Sequence, residues 1–257
     1  MLFENKTILV TGGAKGIGAG CVKVFHREQA NVVILDMDEE AGQALREDLG
    51  ERTLFVKCDV SKETDVRRAV EQAVEEFGGL DVLVNNAGIL QYSTVTDTSE
   101  ENWDRVMDIN VKGAFFCAKH AIPHMQAGGS GVVVNMSSVQ AFVTQENVAA
   151  YVTSKSALIG LTRSIAVDYA PEIRSVAICP GGVDTPLNRE AFRQSPDPEA
   201  VRQETIDLHL VGRMADPEEI GELVAFVASR KGAFITGQPI RIDGGLGLKA
   251  EGSKKDE

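Results

Sequence analysis

Seven short runs of β-branched and other apolar residues, separated by longer stretches of helical periodicity, constrain this chain more than any other feature. The runs are Thr7 to Val10, Val32 to Leu35, Leu54 to Val56, Val82 to Val84, Val132 to Val134, Val176 to Ile178 and Pro239 to Ile242. Between them apolar residues return at helical spacing, as in Val66, Val70, Val74 and Phe77, or Leu158, Leu161, Ile165 and Ala166. Nearly continuous apolar strands offer no polar face to water, so they imply a parallel sheet covered by helices on both sides. The expected fold is α/β, a doubly wound seven-stranded parallel sheet that uses residues 1–257 as one domain. Two helix starts are marked locally: Thr98 with Glu101 fits a capping box, and Asp216-Pro217 with Glu219 supplies an N-cap, an N1 proline and the reciprocal acid.

The rhythm breaks between Pro180 and Ala215, where Pro180, Pro186, Pro196 and Pro198 alternate with charged residues and periodicity is weak. Long loops in compact domains are usually functional, so residues 181–215 read as a lid over a substrate. The alternative is a passive surface excursion carrying a short helix or two. Residues 248–257 form a polar tail.

Charge and cysteine usage exclude several roles. Lys and Arg number 26 against 38 Asp and Glu, a net charge of −12, and such a field repels phosphate backbones and anionic lipid. Nucleic acid and membrane partners are therefore not expected, and no apolar run approaches the ~20 residues that span a bilayer. No targeting signal is apparent in the sequence. Cys21, Cys58, Cys117 and Cys179 form no CxxC pair and have no histidine beside them at ligand spacing, which argues against a metal site. They read as buried reduced thiols, and the expected location is the cytoplasm.

The first strand ends in Thr11-Gly12-Gly13-Ala14-Lys15-Gly16-Ile17-Gly18 and leads into a helical stretch. Glycines there let a pyrophosphate approach main-chain NH groups at the positive helix end, and a side chain at Gly18 would block packing on the strand. Asp36 lies 24 residues beyond Gly12, at the end of the second run, where an acid accepts hydrogen bonds from a ribose diol and repels a 2′-phosphate. That favours NAD over NADP. Lys15 pulls the other way, because a cation in the loop would help hold an NADP phosphate. Asp59 ends the third run, either beside the adenine or as a turn residue before Ser61. Asn85-Asn86-Ala87-Gly88 closes the fourth run with small and amide residues at the ligand-binding edge of such sheets.

Tyr151 and Lys155 stand at i and i+4, on one helix face. A neighbouring cation stabilises a phenolate, bringing a phenol of ordinary pKa ~10 toward use as a base. Ser138, 13 residues earlier, ends the fifth strand and can hydrogen-bond a substrate oxygen; it is preferred over Ser137. Asn110 is polar inside a helical apolar pattern, either holding a relay water or simply satisfied by its surroundings.

Together these residues resemble the short-chain dehydrogenase/reductase superfamily in its compact single-domain branch. The glycine loop, Asp59, Asn85 to Gly88, Asn110, Ser138, Tyr151, Lys155, and Pro180-Gly181 with Thr185 stand in family order and spacing across nearly the whole chain. Ser175-Val176 departs from it, where many members carry an asparagine. The resemblance implies a Rossmann-type fold, Tyr151 as acid/base with its pKa lowered by Lys155, Ser138 orienting the reacting oxygen and Asn110 in a proton relay. It also implies a nicotinamide cofactor held by Gly12, Lys15, Gly16, Ile17, Gly18, Asp36, Asp59, Val60, Asn86, Ala87 and Gly88, with Tyr151, Lys155, Pro180, Gly181, Val183 and Thr185. A homotetramer is the usual family assembly.

Ser137 to Ala141, Ala150 to Pro171, Asp184 to Leu187 and Asp243 to Leu246 are similar to NAD-preferring sugar dehydrogenases acting on aldohexoses. With Ser138 and Tyr151, Gln140, Gln145 and Asn147 would suit a polyhydroxylated substrate, whereas Leu90 and Phe142 would not. The expected activity is NAD-dependent oxidation of a secondary alcohol, aldose or polyol. The rivals are an NADPH-dependent 3-oxoacyl or other carbonyl reductase, and a non-catalytic dinucleotide sensor on the same fold.

Overall fold

A computed structural model describes residues 1–248, so the tail expected over 248–257 lies outside the described residues except for Leu248. The strands are β1 (Thr7–Thr11), β2 (Asn31–Asp36), β3 (Thr53–Lys57), β4 (Val82–Asn85), β5 (Gly131–Met136), β6 (Ile173–Pro180) and β7 (Pro239–Ile242). They form one parallel sheet in the order β3-β2-β1-β4-β5-β6-β7, as expected from seven apolar runs separated by helices. The chain crosses from β3 back to β4 beside β1, which opens a crevice at the carboxyl ends of β1 and β4.

Nine helices accompany the sheet among the described residues: α1 (Gly16–Arg27), α2 (Glu39–Leu49), α3 (Glu63–Phe77), α4 (Glu100–Met107), α5 (Gly113–Ala127), α6 (Ala149–Asp168), α7 (Pro186–Arg193), α8 (Pro198–Asp207) and α9 (Pro217–Ala228). Strand alternation divides the core between the two faces. Ile8, Val10, Val32 and Ile34 pack with Val24 and Phe25 of α1 and Val224 of α9. Leu9, Val33 and Leu35 pack with Val66 and Val70 of α3 and Cys117 of α5 on the other face. Each such side chain is worth roughly 1.5–3 kcal/mol when fully buried, so both faces stabilise the sheet.

Local signals set the helix ends. Asp216 caps α9 in the expected reciprocal box with Glu219, and Pro217 follows it. At α4 the capping residue is Ser99, whose hydroxyl accepts from Asn102 N at 3.2 Å, which corrects the expectation of Thr98. The Thr98 hydroxyl instead donates to the Thr94 carbonyl at 2.6 Å and is lost to the helix. Residues 181–215 carry the two short helices α7 and α8, each entered through proline and capped by Thr185 or Asp197. Neither helix buries a residue. All four cysteines are free and buried. Among the described residues no helix is long and apolar enough to cross a membrane, and no cluster of His, Cys, Asp or Glu is arranged to hold a metal.

Candidate active site

A cleft of about 860 Å³ runs along the carboxyl edge of the sheet from Asp36 to His209. Its floor at one end is the junction of β1 and β4, tied by a residue that the sequence reading did not single out. The Thr11 hydroxyl accepts from Asn86 N at 2.9 Å and Ala87 N at 3.0 Å. The Asn86 amide returns two bonds of 3.0 Å to the Thr11 and Gly12 carbonyls. Asn85 turns inward and donates to the Asn135 side chain at 2.9 Å, so it serves the sheet and not the cleft.

The glycine loop fits a dinucleotide. Gly12 has φ of +61°, and a Cβ on Gly18 would sit 2.0 Å from the Gly12 carbonyl oxygen, so a side chain there is excluded. Lys15 occupies the N-cap position of α1 without a side-chain cap, which leaves the first NH groups of the helix free for an anion. Gly12, Lys15, Gly16 and Ile17 line the cleft. Asp36 also lines it, held by the amides of Ala14 and Asp38, each at 3.0 Å.

The dissenting cation, Lys15, forms an ion pair with Asp38 that raises the Lys15 pKa and lowers that of Asp38. In this conformation its ammonium is turned toward a carboxylate, away from the role of phosphate ligand considered above. Asp59 is the turn residue before Ser61, and it also faces the cleft. It accepts from Ser61 N at 3.0 Å and Ser61 Oγ at 2.7 Å while lining the cleft with Val60.

At the other end, β5 and α6 bring Ser138, Tyr151 and Lys155 together on the cleft wall. Ser138 is 7% exposed and its hydroxyl accepts from Gln140 N at 3.1 Å. Ser137 donates to the Lys155 carbonyl at 2.7 Å and so braces α6. The Lys155 ammonium lies 5.6 Å from the centroid of the Tyr151 ring and donates to the Met136 carbonyl at 2.9 Å. Burial pushes Lys155 down to about 8.

Burial also pushes the Tyr151 phenol above its ordinary value, with the Ser138 hydroxyl pulling it back and Tyr92 adding to the rise. The expected lowering of Tyr151 by Lys155 is therefore not seen in the free protein. The reason is that each group loses water and favours its neutral form. The Cys179 thiol, against the same wall, is likewise pushed up by burial.

Asn110 lies in one turn of π-helix, Asp108–Lys112, and is 1% exposed. Its Oδ1 accepts from Ile89 N at 2.8 Å, and its Nδ2 donates to the Ile89 carbonyl and the Ser154 hydroxyl, both at 3.0 Å. Both side-chain N–H groups are thus engaged by protein, and the amide pins the loop after β4 to α6. It stands behind Gly88, where an added Cβ would meet Asn110 Oδ1 at 3.2 Å and Lys155 Nζ at 3.3 Å.

Of the expected substrate contacts, Gln140 and Gln145 line the cleft. Asn147 does not: it is an exposed turn residue with φ of +61°, and its carbonyl accepts from Ser93 N at 2.7 Å. A left-handed turn favours asparagine on conformational grounds alone, which is the signal that misled.

Pro180, Gly181, Val183 and Thr185 line the cleft between its two ends. They meet His209, another residue that the sequence reading did not single out, 4% exposed at the end of α8. Its Nδ1 is 2.6 Å from the Thr205 carbonyl, and its Nε2 accepts from Gly182 N at 2.8 Å. These bonds require a neutral ring with the proton on Nδ1. A lone histidine in a proline-rich stretch gives no sequence signal for such a pin.

A doubly wound sheet with an open glycine loop at one end and a serine, tyrosine and lysine at the other defines a nucleotide-dependent oxidoreductase class. The chain belongs to the short-chain dehydrogenase/reductase family: residues 12–247 match a family model described as enoyl-(acyl carrier protein) reductase. It is 43% identical over 253 residues to the oxidoreductase UcpA of Salmonella typhimurium, covering 96% of each chain. It is 40% identical over 247 residues to a cis-4-hydroxycyclohexanecarboxylate dehydrogenase of Sinomonas cyclohexanicum, covering 95% of this chain and 97% of the other. The solved aldohexose dehydrogenase of Thermoplasma acidophilum superimposes with a TM-score of 0.91 at 38% identity over 98% of both chains.

Proposed function

We propose that this oxidoreductase is an NAD-dependent dehydrogenase oxidising a secondary alcohol or sugar hemiacetal carbon, with an aldose or polyol as substrate. The observation that carries the cofactor choice is the Asp36 carboxylate, fixed by two backbone amides at the cleft rim. A 2′-phosphate brought there would meet a like charge, and such juxtapositions cost several kcal/mol. Asp38 adds a second carboxylate nearby and occupies Lys15.

Bound NAD supplies the hydride acceptor at the nicotinamide ring. Tyr151 must ionise against the burial that raises it, which the Lys155 ammonium favours, and as phenolate it takes the hydroxyl proton of the substrate as the carbon–hydrogen bond gives up its hydride, leaving a carbonyl or lactone. Ser138 donates to the reacting oxygen and holds it in line. Lys155 places positive charge beside the phenolate and would hold the nicotinamide ribose. Asn110 holds the Ile89 loop against α6, and Gly88, where a Cβ would meet Lys155 Nζ at 3.3 Å, leaves room for the ammonium. Segment 181–215 acts as the lid, with His209 joining it to the turn after β6.

The sugar reading draws support from the amide-bearing lining and from the aldohexose dehydrogenase neighbour. The reading includes a homotetramer, checked by sedimentation, and a reducing cytoplasm, in keeping with four free thiols. Absorbance at 340 nm with NAD or NADP and a panel of aldoses, polyols and simple alcohols tests the function. NAD-linked oxidation of an aldose is the expected result. NADPH-linked reduction of an oxoacyl or ketone substrate would overturn the cofactor and substrate assignments, and turnover of neither set would favour a sensor.

A further inference from the structure

Beside the main cleft lies a second, half-open chamber of about 390 Å³, roughly the share of a dozen water molecules in the liquid. It is walled by the loop after β4, the start of α4, the first turn of α6 at Ala150, and α7. Leu187, Glu190, Ala191 and Gln194 contribute from α7 at i, i+3, i+4 and i+7, one helical face. Because α7 buries no residue, that face is committed to the chamber and not to the core. The two cavities share Leu90, Tyr92, Leu187 and Ala191, so a ligand at Ser138 and Tyr151 can extend from one into the other.

The lining chemistry selects the ligand. Tyr92 stands at the junction, 53% exposed and close enough to Tyr151 to raise its pKa. Around it are the hydroxyls of Ser93 and Thr98 and the amides of Asn102 and Gln194. An exposed aromatic face among hydroxyls and amides matches a sugar ring, with C–H groups on its faces and hydroxyls on its edge. Glu190, paired with Arg193 at 3.5 Å, is the one acidic side chain in the lining, and among the described residues no Lys or Arg lines the chamber to hold an anionic arm. Ser93, Thr98 and Gln194 keep partners of their own in Thr94 and Glu190, whereas an alkyl chain would leave the Asn102 amide without one.

Resting on the aldose reading above, we infer that this chamber is a distal subsite that takes the second, uncharged ring of a disaccharide or glycoside whose first ring is oxidised at Tyr151. Sugar phosphates and acyl chains are excluded from it. The side chain of Asn102 makes no hydrogen bond to any other described residue, so Asn102→Leu removes ligand contacts without orphaning a partner among them.

The test pairs glucose and mannose with their β-1,4-linked disaccharides, cellobiose and mannobiose. It compares kcat/KM in the wild type and Asn102→Leu, and titrates each disaccharide calorimetrically into the NADH complex. Loss of one or two hydrogen bonds predicts about a tenfold fall in kcat/KM and affinity for a disaccharide, with its monosaccharide within about twofold of wild type. Equal effects on both members of a pair, or failure of both disaccharides to bind the wild type, overturn the subsite and leave the aldose reading standing. Disaccharide binding that Asn102→Leu weakens, without oxidation of any of the four sugars, overturns the aldose chemistry and leaves the subsite. A second variant, Asn102→Ala, repeats the comparison without adding an apolar side chain to the wall.

Discussion

The β5–α6 limb and the α7–α8 segment face each other across one cleft, and they are built on opposite principles. Every residue of β5 is buried, and α6 buries Ser154, Lys155 and Thr162 with their polar atoms bonded within the protein. Neither α7 nor α8 buries any residue, and the pair is joined to the body through the cleft-facing pin of His209. The limb fixes the side chains proposed to react in a rigid lattice. The segment lines the facing side of the same cleft, and its low burial lets its surface change without cost to the core.

The comparison is broken most directly at Tyr151. Tyr151→Phe keeps the ring and removes the proton carrier, so kcat is expected to fall ~10²–10⁴-fold with the melting temperature little changed. Steady-state turnover on an established substrate, beside a thermal melt, checks this. A loss within a few fold would remove Tyr151 from the chemistry.

Lys155 probes the cost of that rigid wall. Its pKa is lowered from 10.5 to about 8 by burial, so the folded state carries a penalty wherever the ammonium is charged. The unfolded chain binds the proton more tightly, so the penalty is full below pH about 8 and fades as pH rises toward 10.5. Its size at neutral pH is on the order of 3 kcal/mol. Lys155→Met is expected to abolish turnover and raise thermal stability at pH 7, with the gain shrinking at pH 10. A variant less stable than wild type at pH 7 would show that the bond to the Met136 carbonyl outweighs desolvation.

Asp36→Asn removes the carboxylate and retains the shape. The NAD-to-NADP ratio of kcat/KM is expected to drop about 10–100-fold, most of it through KM for NADP. An unchanged ratio would transfer cofactor choice to Asp38 and Lys15.

On the lid side, His209→Leu leaves the Gly182 amide without its acceptor, an expected loss of ~1–3 kcal/mol. Because that amide belongs to the segment bordering the substrate, KM is expected to rise several fold with kcat changing less, and His209→Gln to restore part of the loss. Equal falls in kcat and kcat/KM would place His209 with the reacting groups instead. The smallest effect is at α4, where Ser99→Ala should cost about 1 kcal/mol and Thr98→Ala less. A denaturant titration of the two variants decides which is the cap.

The sheet was legible because both faces of each strand had to be apolar, which makes the pattern visible residue by residue. Tyr151 and Lys155 were legible because four residues separate neighbours on a helix. Other parts of the site have no such local signature. Thr11 reads as a strand residue until its hydroxyl is seen to hold Asn86 and Ala87 across 75 and 76 residues. His209 became a pin only when α8 folded back over the Pro-Gly-Gly turn. Asn147 was misread because its turn conformation and its amide chemistry favour the same residue.

By itself the sequence determined the layer architecture, the glycine loop, the acid at the end of β2 and the helical spacing of Tyr151 and Lys155, since each follows from short-range periodicity or spacing. Tertiary structure decided which polar groups face the cleft, which way Lys15 turns, how burial moves Tyr151 and Lys155 away from their ordinary values, and that a second chamber opens behind Tyr92. Those properties depend on what stands across a gap from a side chain, and pairing across gaps is set by packing between segments far apart in the chain.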